Sequence, residues 1–194
     1  MATISIFESV TLDGVMQGPG RADEDGRGGF VHGGWADGYT DDVTMKATGE
    51  EMGESVAMLF GHRTYGDVLG YWTGVSEPNP FTQALVNGRK YVVSRFADAS
   101  LGYPNSTLLA GEATETVARL RDEVAGVVTI VGSGVLVRAL HGAGLIDRYF
   151  LTIVPIVLGS GTRLFGEGDR ADLHLVDSMP TTTGAVLATY TRVR

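Results

Sequence analysis

Short apolar segments alternate with helical segments over the first two thirds of the chain, and this alternation limits the fold more than any other feature of the sequence. The apolar segments are rich in β-branched and aromatic residues and are as short as buried strands. Predicted strands cover residues 3–7, 56–60, 90–94, 107–109 and 127–131, and predicted helices cover 40–54, 112–124 and 135–141, with shorter helical segments after residue 61 and at 80–85. Strands that alternate with helices require crossover connections, so the pattern predicts an α/β protein with a mostly parallel sheet.

The last third of the chain has a different pattern. Strand-like segments at 148–154, 173–177 and 185–191 follow one another without predicted helices between them. Consecutive strands of this kind favour antiparallel pairing, so we expect an antiparallel edge formed by the C-terminal strands. No stretch has the composition of a linker, and we predict a single domain over residues 1–194.

The composition excludes several classes of function. The chain has no cysteine, which excludes disulfides, thiolate metal sites and a cysteine nucleophile, and which suits a reducing cytoplasm. Its net charge of −8 argues against a general affinity for nucleic acid. The apolar runs are far shorter than the ~20 residues that span a bilayer, and no targeting segment is predicted. We therefore expect a cytoplasmic protein that acts on a small molecule, without a nucleic-acid or membrane partner.

The histidines do not predict a metal site. Their spacing differs from that of metal ligands, and a structural or surface role is the better interpretation for each of them. They are His32, His62, His141 and His174.

A glycine-containing turn, Gly132-Ser133-Gly134, connects the clearest predicted strand to a helix. Glycines allow the backbone to approach a phosphate closely, and the N–H groups and dipole at a helix N-terminus favour an anion. The same turn also suits a simple tight connection. Alone, it does not decide between an anion site and a structural turn.

Two further strand ends carry a hydroxyl residue beside an arginine. Arg63-Thr64 follows the strand at 56–60, and Ser94-Arg95 follows the strand at 90–94. A guanidinium group binds phosphate through a planar fork of donors, although taken separately each pair is better explained by a helix N-cap and a solvated surface charge. The carboxyl ends of parallel strands lie at one edge of a sheet, where α/β proteins bind ligands. Because all three junctions would converge at that edge, the sequence predicts a site for a phosphorylated ligand.

A glycine-rich, charged stretch at 18–38 contains the aromatic residues Phe30 and Trp35, which a flexible linker would not normally carry. We interpret it as a long functional loop. Trp35 and Trp72, with Tyr71, are candidates for the walls of a substrate pocket because flat heterocycles stack well on aromatic rings. A place in the core or in a dimer interface is an equally good interpretation of these aromatic residues.

Several short motifs, in the right order over nearly the whole chain, resemble the dihydrofolate reductase superfamily, and in particular stand-alone relatives of the C-terminal reductase domain of the riboflavin-biosynthesis deaminase-reductase. The motifs are Ser9-Val10-Thr11-Leu12-Asp13-Gly14-Val15, Gly61-His62-Arg63-Thr64-Tyr65, Lys90-Tyr91-Val92-Val93-Ser94-Arg95, Val131-Gly132-Ser133-Gly134 with Leu136, and Val154-Pro155-Ile156-Val157-Leu158-Gly159-Ser160-Gly161 with Leu164-Phe165. The resemblance implies a dihydrofolate-reductase-like mixed sheet with helices on both faces.

The resemblance also implies an NADPH-dependent reductase that transfers a hydride to a small heterocyclic or carbonyl substrate, as in reductases of dihydrofolate or of a phosphoribosylaminouracil. Gly61, Arg63-Thr64 and Ser94-Arg95 would then hold the adenosine 2′-phosphate side of the cofactor. Gly132-Ser133-Gly134 and Leu136 would hold the pyrophosphate, and Asp13-Gly14-Val15 would lie near the nicotinamide. The 18–38 loop does not align with these relatives, so neither folate nor a ribityl-pyrimidine phosphate is assigned as the substrate.

Three acidic residues are candidates for the proton donor that such a reduction needs. Asp41 and Asp42 lie where folate-reducing relatives carry a carboxylate, on the helix after the first loop. Acidic residues in the first turn of a helix also stabilise it through the dipole, and this interpretation is favoured. Asp13 is the third candidate, although Leu-Asp-Gly is equally a good turn sequence.

Two other functions remain open. A binding protein, such as a sensor or carrier, could keep the cofactor cleft without catalysing a reaction. A purely structural dimer is also possible, although it would leave the glycines of the cleft unexplained. For an enzyme, too, a homodimer is the expected assembly.

Overall fold

The computed structural model describes residues 1–77 and 80–193, and its elements follow the predicted alternation. The strands are β1 (Ala2–Thr11), β2 (Ser55–Gly61), β3 (Lys90–Ser94), β4 (Ser106–Ala110), β5 (Gly126–Val131), β6 (Arg148–Val154), β7 (Leu173–Pro180) and β8 (Val186–Arg192). The helices are α1 (Asp42–Gly53), α2 (His62–Thr73), α3 (Pro80–Asn87), α4 (Ala113–Glu123) and α5 (Gly134–Gly142), with one 3₁₀ turn at Arg27–Gly29. None of the helices in this described part is long and apolar enough to cross a membrane.

All eight of these strands join one sheet in the order β4-β3-β2-β5-β1-β6-β8-β7. The first six strands in this order, from β4 at the edge to β6, are all parallel to one another. β8 is antiparallel to β6 and to β7. The predicted mixed sheet, mostly parallel with an antiparallel C-terminal edge, is therefore confirmed.

Helices cover both faces of the sheet, as expected. On one face, Ile4, Ile6 and Val10 of β1 belong to a core cluster with apolar residues of α4 and α5. On the other face, Phe60 and Val131 form a second cluster with residues of α2 and α3. α1 lies on this second face as well, because Glu51 of α1 accepts a hydrogen bond from Ser5 Oγ, whose side chain alternates with those of Ile4 and Ile6.

The placement of the helices predicts a crevice at the carboxyl end of β5. The chain leaves β5 through α5 on one face, whereas it leaves the neighbouring strands β1 and β2 through α1 and α2 on the opposite face. Connections that diverge in this way leave room between strand ends, and open α/β sheets bind their ligands at such switch points.

Two elements, α2 and β1, differ most in length from the prediction. α2 is a helix of 12 residues rather than a short one, although Gly66 and Gly70 lie within it. Burial of Tyr65 and Leu69 against the sheet overcomes the low helix propensity of these glycines. β1 has 10 residues because its second half, which contains polar side chains, still pairs with β6.

A buried lysine fixes the end of α3. Lys90, the first residue of β3, is fully buried, and its Nζ donates hydrogen bonds to the carbonyl oxygens of Leu85, Val86 and Gly88 at 2.8, 3.1 and 2.7 Å. Helix ends leave carbonyl groups without intrahelical donors, and the ammonium group supplies the missing donors here. Burial lowers the pKa of Lys90, but the three carbonyl groups stabilise its charge.

We predict that Lys90→Met reduces the free energy of unfolding by about 1–3 kcal/mol, because the helix end then carries buried carbonyls without a donor. Chemical denaturation with urea measures this change. The control Lys46→Met, at an exposed position of α1, should change the free energy of unfolding by no more than about 0.5 kcal/mol. Equal effects of the two substitutions would contradict the capping role.

Candidate functional site

The carboxyl ends of β2, β3 and β5 meet at one edge of the sheet. Gly61 at the end of β2 pairs with Val93, next to Ser94, and the Gly61 N–H donates a hydrogen bond of 2.8 Å to Ser133 Oγ. Gly132 lies against the first turn of α2, because a Cβ added to it would be 3.1 Å from Thr64 Cγ2. The structure thus brings the three predicted junctions to one edge of the sheet, where the switch point predicts a crevice.

The N-terminus of α5 faces this crevice. Ser133 adopts a left-handed conformation (φ 71°, ψ 56°), and its side chain makes no cap hydrogen bond to α5 because it accepts from Gly61 instead. The first N–H groups of a helix have no intrahelical acceptor and carry the positive end of its dipole. This arrangement leaves the α5 N-terminus suited to an anion. Leu136 contributes only backbone here, since its side chain is buried in the core.

Gly134 packs closely against the side chain of Met16. A Cβ added there would lie 2.7 Å from Met16 Sδ, closer than real Cβ contacts allow. Met16 follows β1, so this contact holds the end of β1 against the turn that begins α5.

The predicted cationic residues lie beside this edge. Arg63 is exposed in the first turn of α2, and Arg95 is exposed at the end of β3, with its Nε 3.4 Å from Glu112 Oε1. Ser94 is buried, and its Oγ accepts a hydrogen bond of 3.1 Å from the N–H of Phe96. Ser94 therefore shapes the turn that presents Arg95.

The end of β1 extends the same edge on the other side of β5. Gly14 (φ 79°) closes a turn in which its N–H donates to the carbonyl of Thr11 at 2.9 Å. The N–H of Val15 donates to Thr11 Oγ1 at 2.9 Å, and the Val15 side chain is fully buried. The turn that the resemblance places near a nicotinamide is thus held by two hydrogen bonds and by the buried side chain of Val15.

Asp13 joins two loops as an ionised carboxylate. It accepts hydrogen bonds from Thr11 Oγ1 at 2.6 Å and from the N–H groups of Leu158 and Gly159 at 3.2 and 2.8 Å, and Arg163 lies 3.6 Å away. These donors, the Thr11 hydroxyl first, lower the pKa of Asp13 to about 2. A group that holds no proton at neutral pH is poorly suited to donate one, so the structure favours the turn interpretation of Asp13.

Asp41 caps α1. Its carboxylate accepts from Thr44 N at 2.8 Å and from the hydroxyl and N–H of Thr182, in the turn between β7 and β8, at 2.6 and 2.7 Å. These hydrogen bonds, chiefly that of the Thr182 hydroxyl, hold the pKa of Asp41 well below its usual range. The geometry favours the helix-capping interpretation for Asp41, while Asp42 is exposed on the first turn of the same helix.

The two tryptophans lie in different surroundings. Trp35 is buried inside the 18–38 loop, where its Nε1–H donates to the carbonyl of Gln17 at 2.7 Å. Trp72 packs edge-on against Tyr71 and Phe81 at the end of α2, next to the second core cluster. Both positions have a structural explanation, and the pocket role of these residues stays a prediction.

Gln17 organises the 18–38 loop, a role that the sequence pattern did not reveal. Its Nε2 donates to the carbonyls of Asp25 and Arg27 at 3.2 and 3.0 Å, and its Oε1 accepts from the N–H and hydroxyl of Thr162 at 2.9 and 3.1 Å. The loop also reaches α2, because the Arg21 guanidinium lies 4.2 Å from the centroid of the Tyr71 ring. A cavity of about 340 Å³ opens between the loop and the segment that follows β6; it is lined by Gln17, Arg27, Gly28, Gly29, Phe30, Ser160, Gly161 and Thr162.

Glu8 is a buried carboxyl group that the sequence analysis did not select. It is 6% exposed in the middle of the sheet, and its Oε2 has no hydrogen-bond partner among the described residues. Burial raises the pKa of Glu8 to about 8, and the charge of Glu24 in the 18–38 loop contributes in the same direction. The sequence does contain one signal for Glu8. It is an acidic residue whose side chain alternates along the strand with those of the apolar residues Ile6 and Val10, which predicts an inward position.

We predict that Asp13→Asn lowers the melting temperature at neutral pH and that this difference shrinks on acidification. The pKa of Asp13 is lower in the folded protein than its ordinary 3.8, so its contribution is present above about pH 4 and is lost as the pH falls towards 2. Melting curves of both proteins between about pH 6 and pH 2 measure the effect. Asp98→Asn, at an exposed position, is the control. If the difference in melting temperature between the wild type and Asp13→Asn stayed constant with pH, the stabilising role of the Asp13 carboxylate would be contradicted.

Comparisons with known proteins agree with this architecture. Structures with the same fold include a putative riboflavin biosynthesis protein from Shewanella sp. PV-4 (22% identity, TM-score 0.69, 100% of both chains covered). A pyrimidine reductase-like protein from Corynebacterium diphtheriae matches at 13% identity and a TM-score of 0.67, over 100% of this chain and 92% of that one. Dihydrofolate reductase from Enterococcus faecalis, complexed with NADP(H), matches at 16% identity and a TM-score of 0.63, over 99% and 97% of the two chains.

The match to a family model is more specific than the likeness of folds. Comparison with curated proteins finds no significant match. The model of the RibD C-terminal domain, however, matches residues 2–187, which is nearly the whole chain. With its dihydrofolate-reductase-like sheet, the chain belongs to the RibD C-terminal domain family.

Proposed function

We propose that this protein is an NADPH-dependent reductase that transfers a hydride to a small heterocyclic or carbonyl substrate. Family membership supports a reductase of the dihydrofolate reductase and RibD type. The related structures include a dihydrofolate reductase complexed with NADP(H) and a Thermotoga maritima deaminase and uracil reductase, of which this chain covers 57%. Both support a nicotinamide cofactor.

The hydrogen bond from Gly61 to Ser133 is the observation that carries this proposal. It holds the first turn of α2, with Arg63 and Thr64, beside the N-terminus of α5. A guanidinium group and the positive end of a helix dipole, close together at a strand switch point, form a site for a ligand with more than one phosphate.

The residues at this edge fit the cofactor. The Gly132-Ser133-Gly134 turn brings backbone rather than side chains to the crevice, so it would hold the pyrophosphate with the α5 N-terminus. Arg63, Thr64, Ser94 and Arg95 would hold the 2′-phosphate side, and the Gly14-Val15 turn would lie near the nicotinamide. When bound, NADPH supplies the hydride, and the protein orients it against the substrate.

The 18–38 loop lies along the carboxyl edge of the sheet, where it would cover the bound cofactor. Gln17 fixes it to the segment after β6, and Arg21 fixes it to α2, so it extends along the carboxyl edge of the sheet. In the proposed reaction it excludes water from the reduced ring, and the cavity beneath it accommodates part of the substrate.

The ionised states of Asp13 and Asp41 favour the alternative function, a sensor or carrier that binds the nucleotide without catalysis. Both carboxylates hold their charge through several hydrogen bonds, so neither of these two acids supplies a proton at neutral pH. Loss of reduced-nicotinamide absorbance with a substrate present distinguishes the enzyme from the sensor.

We predict that NADPH raises the melting temperature by roughly 5–10 °C at 100 times its dissociation constant, because such saturation adds about 2.7 kcal/mol to the free energy of unfolding. A thermal-shift scan with NADPH, NADP⁺ and NADH measures this stabilisation. A melting temperature equal to that in buffer alone would overturn the cofactor assignment.

We predict that Arg63→Ala weakens NADPH binding by roughly 10- to 100-fold, the loss expected for one charge-assisted hydrogen bond, and leaves NADH binding nearly unchanged. Titration calorimetry with both nucleotides measures the two affinities. Arg89→Ala, at an exposed position before β3, should change neither. Equal weakening of NADPH and NADH would show that Arg63 does not recognise the 2′-phosphate.

The assembly and the location of the protein stay predictions. Light scattering of the purified protein tests the expected homodimer. The cytoplasmic location rests on the sequence composition alone.

A further inference from the structure

Glu8 lies where β1 passes the end of β5. Phe7 pairs with Val131, the last residue of β5, so Glu8 is the first residue of β1 beyond that strand. There the chain turns through Gly132 into α5, whereas β1 continues to Thr11. Glu8 therefore borders the crevice to which the proposed function assigns the cofactor.

The side chain of Glu8 lies on the α5 face of the sheet. It alternates with Ile6 and Val10, which belong to the same core cluster as Met16 and Leu136. The neighbouring position in β6 is apolar, since Leu151 is the partner of Glu8 and belongs to the same core cluster. The charged residue that acts on the carboxyl group is Glu24, from the 18–38 loop above the crevice.

The carboxyl group of Glu8 is incompletely satisfied. Oε1 accepts a hydrogen bond of 3.2 Å from the N–H of Ser9, whereas Oε2 is buried and has no partner among the residues that the structure describes. A buried polar atom without a partner is costly, and folded proteins rarely keep one without a reason. Beside a ligand crevice, the reason that fits is a group on the ligand.

We propose that Glu8 is the acid that protonates the substrate in the proposed reductase reaction. Glu8 gives its proton to the nitrogen or oxygen of a C=N or C=O bond while the dihydronicotinamide hydride adds to the carbon. The π bond breaks, one C–H and one N–H or O–H bond form, and the dihydronicotinamide is oxidised. Glu8 is left as a carboxylate and takes a proton from solvent. This role rests on the proposed function. It assigns the proton donor to β1, whereas the resemblance to folate-reducing relatives assigns it to the helix after the first loop.

The protonation state of Glu8 agrees with this role. Burial and the nearby charge of Glu24 raise its pKa to about 8, so the group carries a proton at neutral pH. A neutral acid with a pKa close to the working pH transfers a proton efficiently and recovers it quickly.

The test uses NADPH oxidation by the full chain, with dihydrofolate and nitrobenzaldehyde as probe substrates. For the wild type, kcat/KM should fall as the pH rises through about 8. Glu8→Gln should lower kcat by roughly 10²- to 10⁴-fold and remove this pH dependence, and Glu8→Asp should restore part of the rate. Glu50→Gln, an exposed substitution on α1, is the matched control and should retain the wild-type rate and profile.

Two measurements without turnover test the protonation of Glu8 and its effect on NADPH binding. Infrared spectra of the ligand-free protein should show a protonated carboxyl band that disappears near pH 8 and is missing in Glu8→Gln. Fluorescence titration should give NADPH dissociation constants that agree within about threefold for the wild type and Glu8→Gln, because the acid acts in the transition state rather than in binding.

The possible failures are distinguishable. If wild type and Glu8→Gln oxidise NADPH at equal rates with the same pH profile, the role of Glu8 is overturned and the reductase remains. If the wild type binds NADPH but oxidises it with neither probe, the reductase proposal fails and the role of Glu8 fails with it. An infrared spectrum without the protonated band would overturn the acid role on its own.

Discussion

The parallel pairing of β2, β5 and β1 determines where this protein can bind a ligand. β5 lies between two strands whose connections leave on the opposite face, so a crevice must open at its carboxyl end. Every feature of the candidate site depends on that geometry. The Ser133 hydroxyl reaches Gly61 because β2 and β5 end at similar heights, and Met16 reaches Gly134 because β1 runs past both of them.

The same physical rule divides the acidic residues of the site into two groups. Asp13 and Asp41 are each surrounded by hydroxyl and N–H donors, which stabilise the charged form and lower the pKa of both carboxyls. Glu8 receives one N–H donor and is otherwise desolvated, so its neutral form is favoured. Asp13, just beyond the end of β1, is therefore charged, whereas Glu8, within the same strand, holds a proton.

The sequence predicts the elements better than it predicts the site. The strands at 90–94 and 148–154 have the expected bounds because an uninterrupted apolar run is a local signal. Asp13 accepts a hydrogen bond from Gly159, 146 positions away. The neighbours of Glu8 are also distant in the chain, since its partner in β6 is Leu151. Such contacts have no local signature, so only the fold reveals them. The motifs that follow β2, β3 and β5 could be predicted to lie together, because the carboxyl ends of parallel strands lie at one edge of a sheet.

The construction of the 18–38 loop bears on the choice of substrate. The buried side chain of Gln17 holds the loop through four hydrogen bonds. Two go to the loop carbonyls of Asp25 and Arg27, and two come from Thr162. The adjoining cavity is lined mainly by backbone and small side chains, with Phe30 and Arg27 as its large groups. The lining offers one aromatic ring, Phe30, and several main-chain polar groups, and its one cation, Arg27, pairs with Asp25. In the proposed reductase, such a lining would suit the stacking of a flat uncharged ring better than the binding of a phosphorylated sugar, because a phosphate needs unpaired cationic donors.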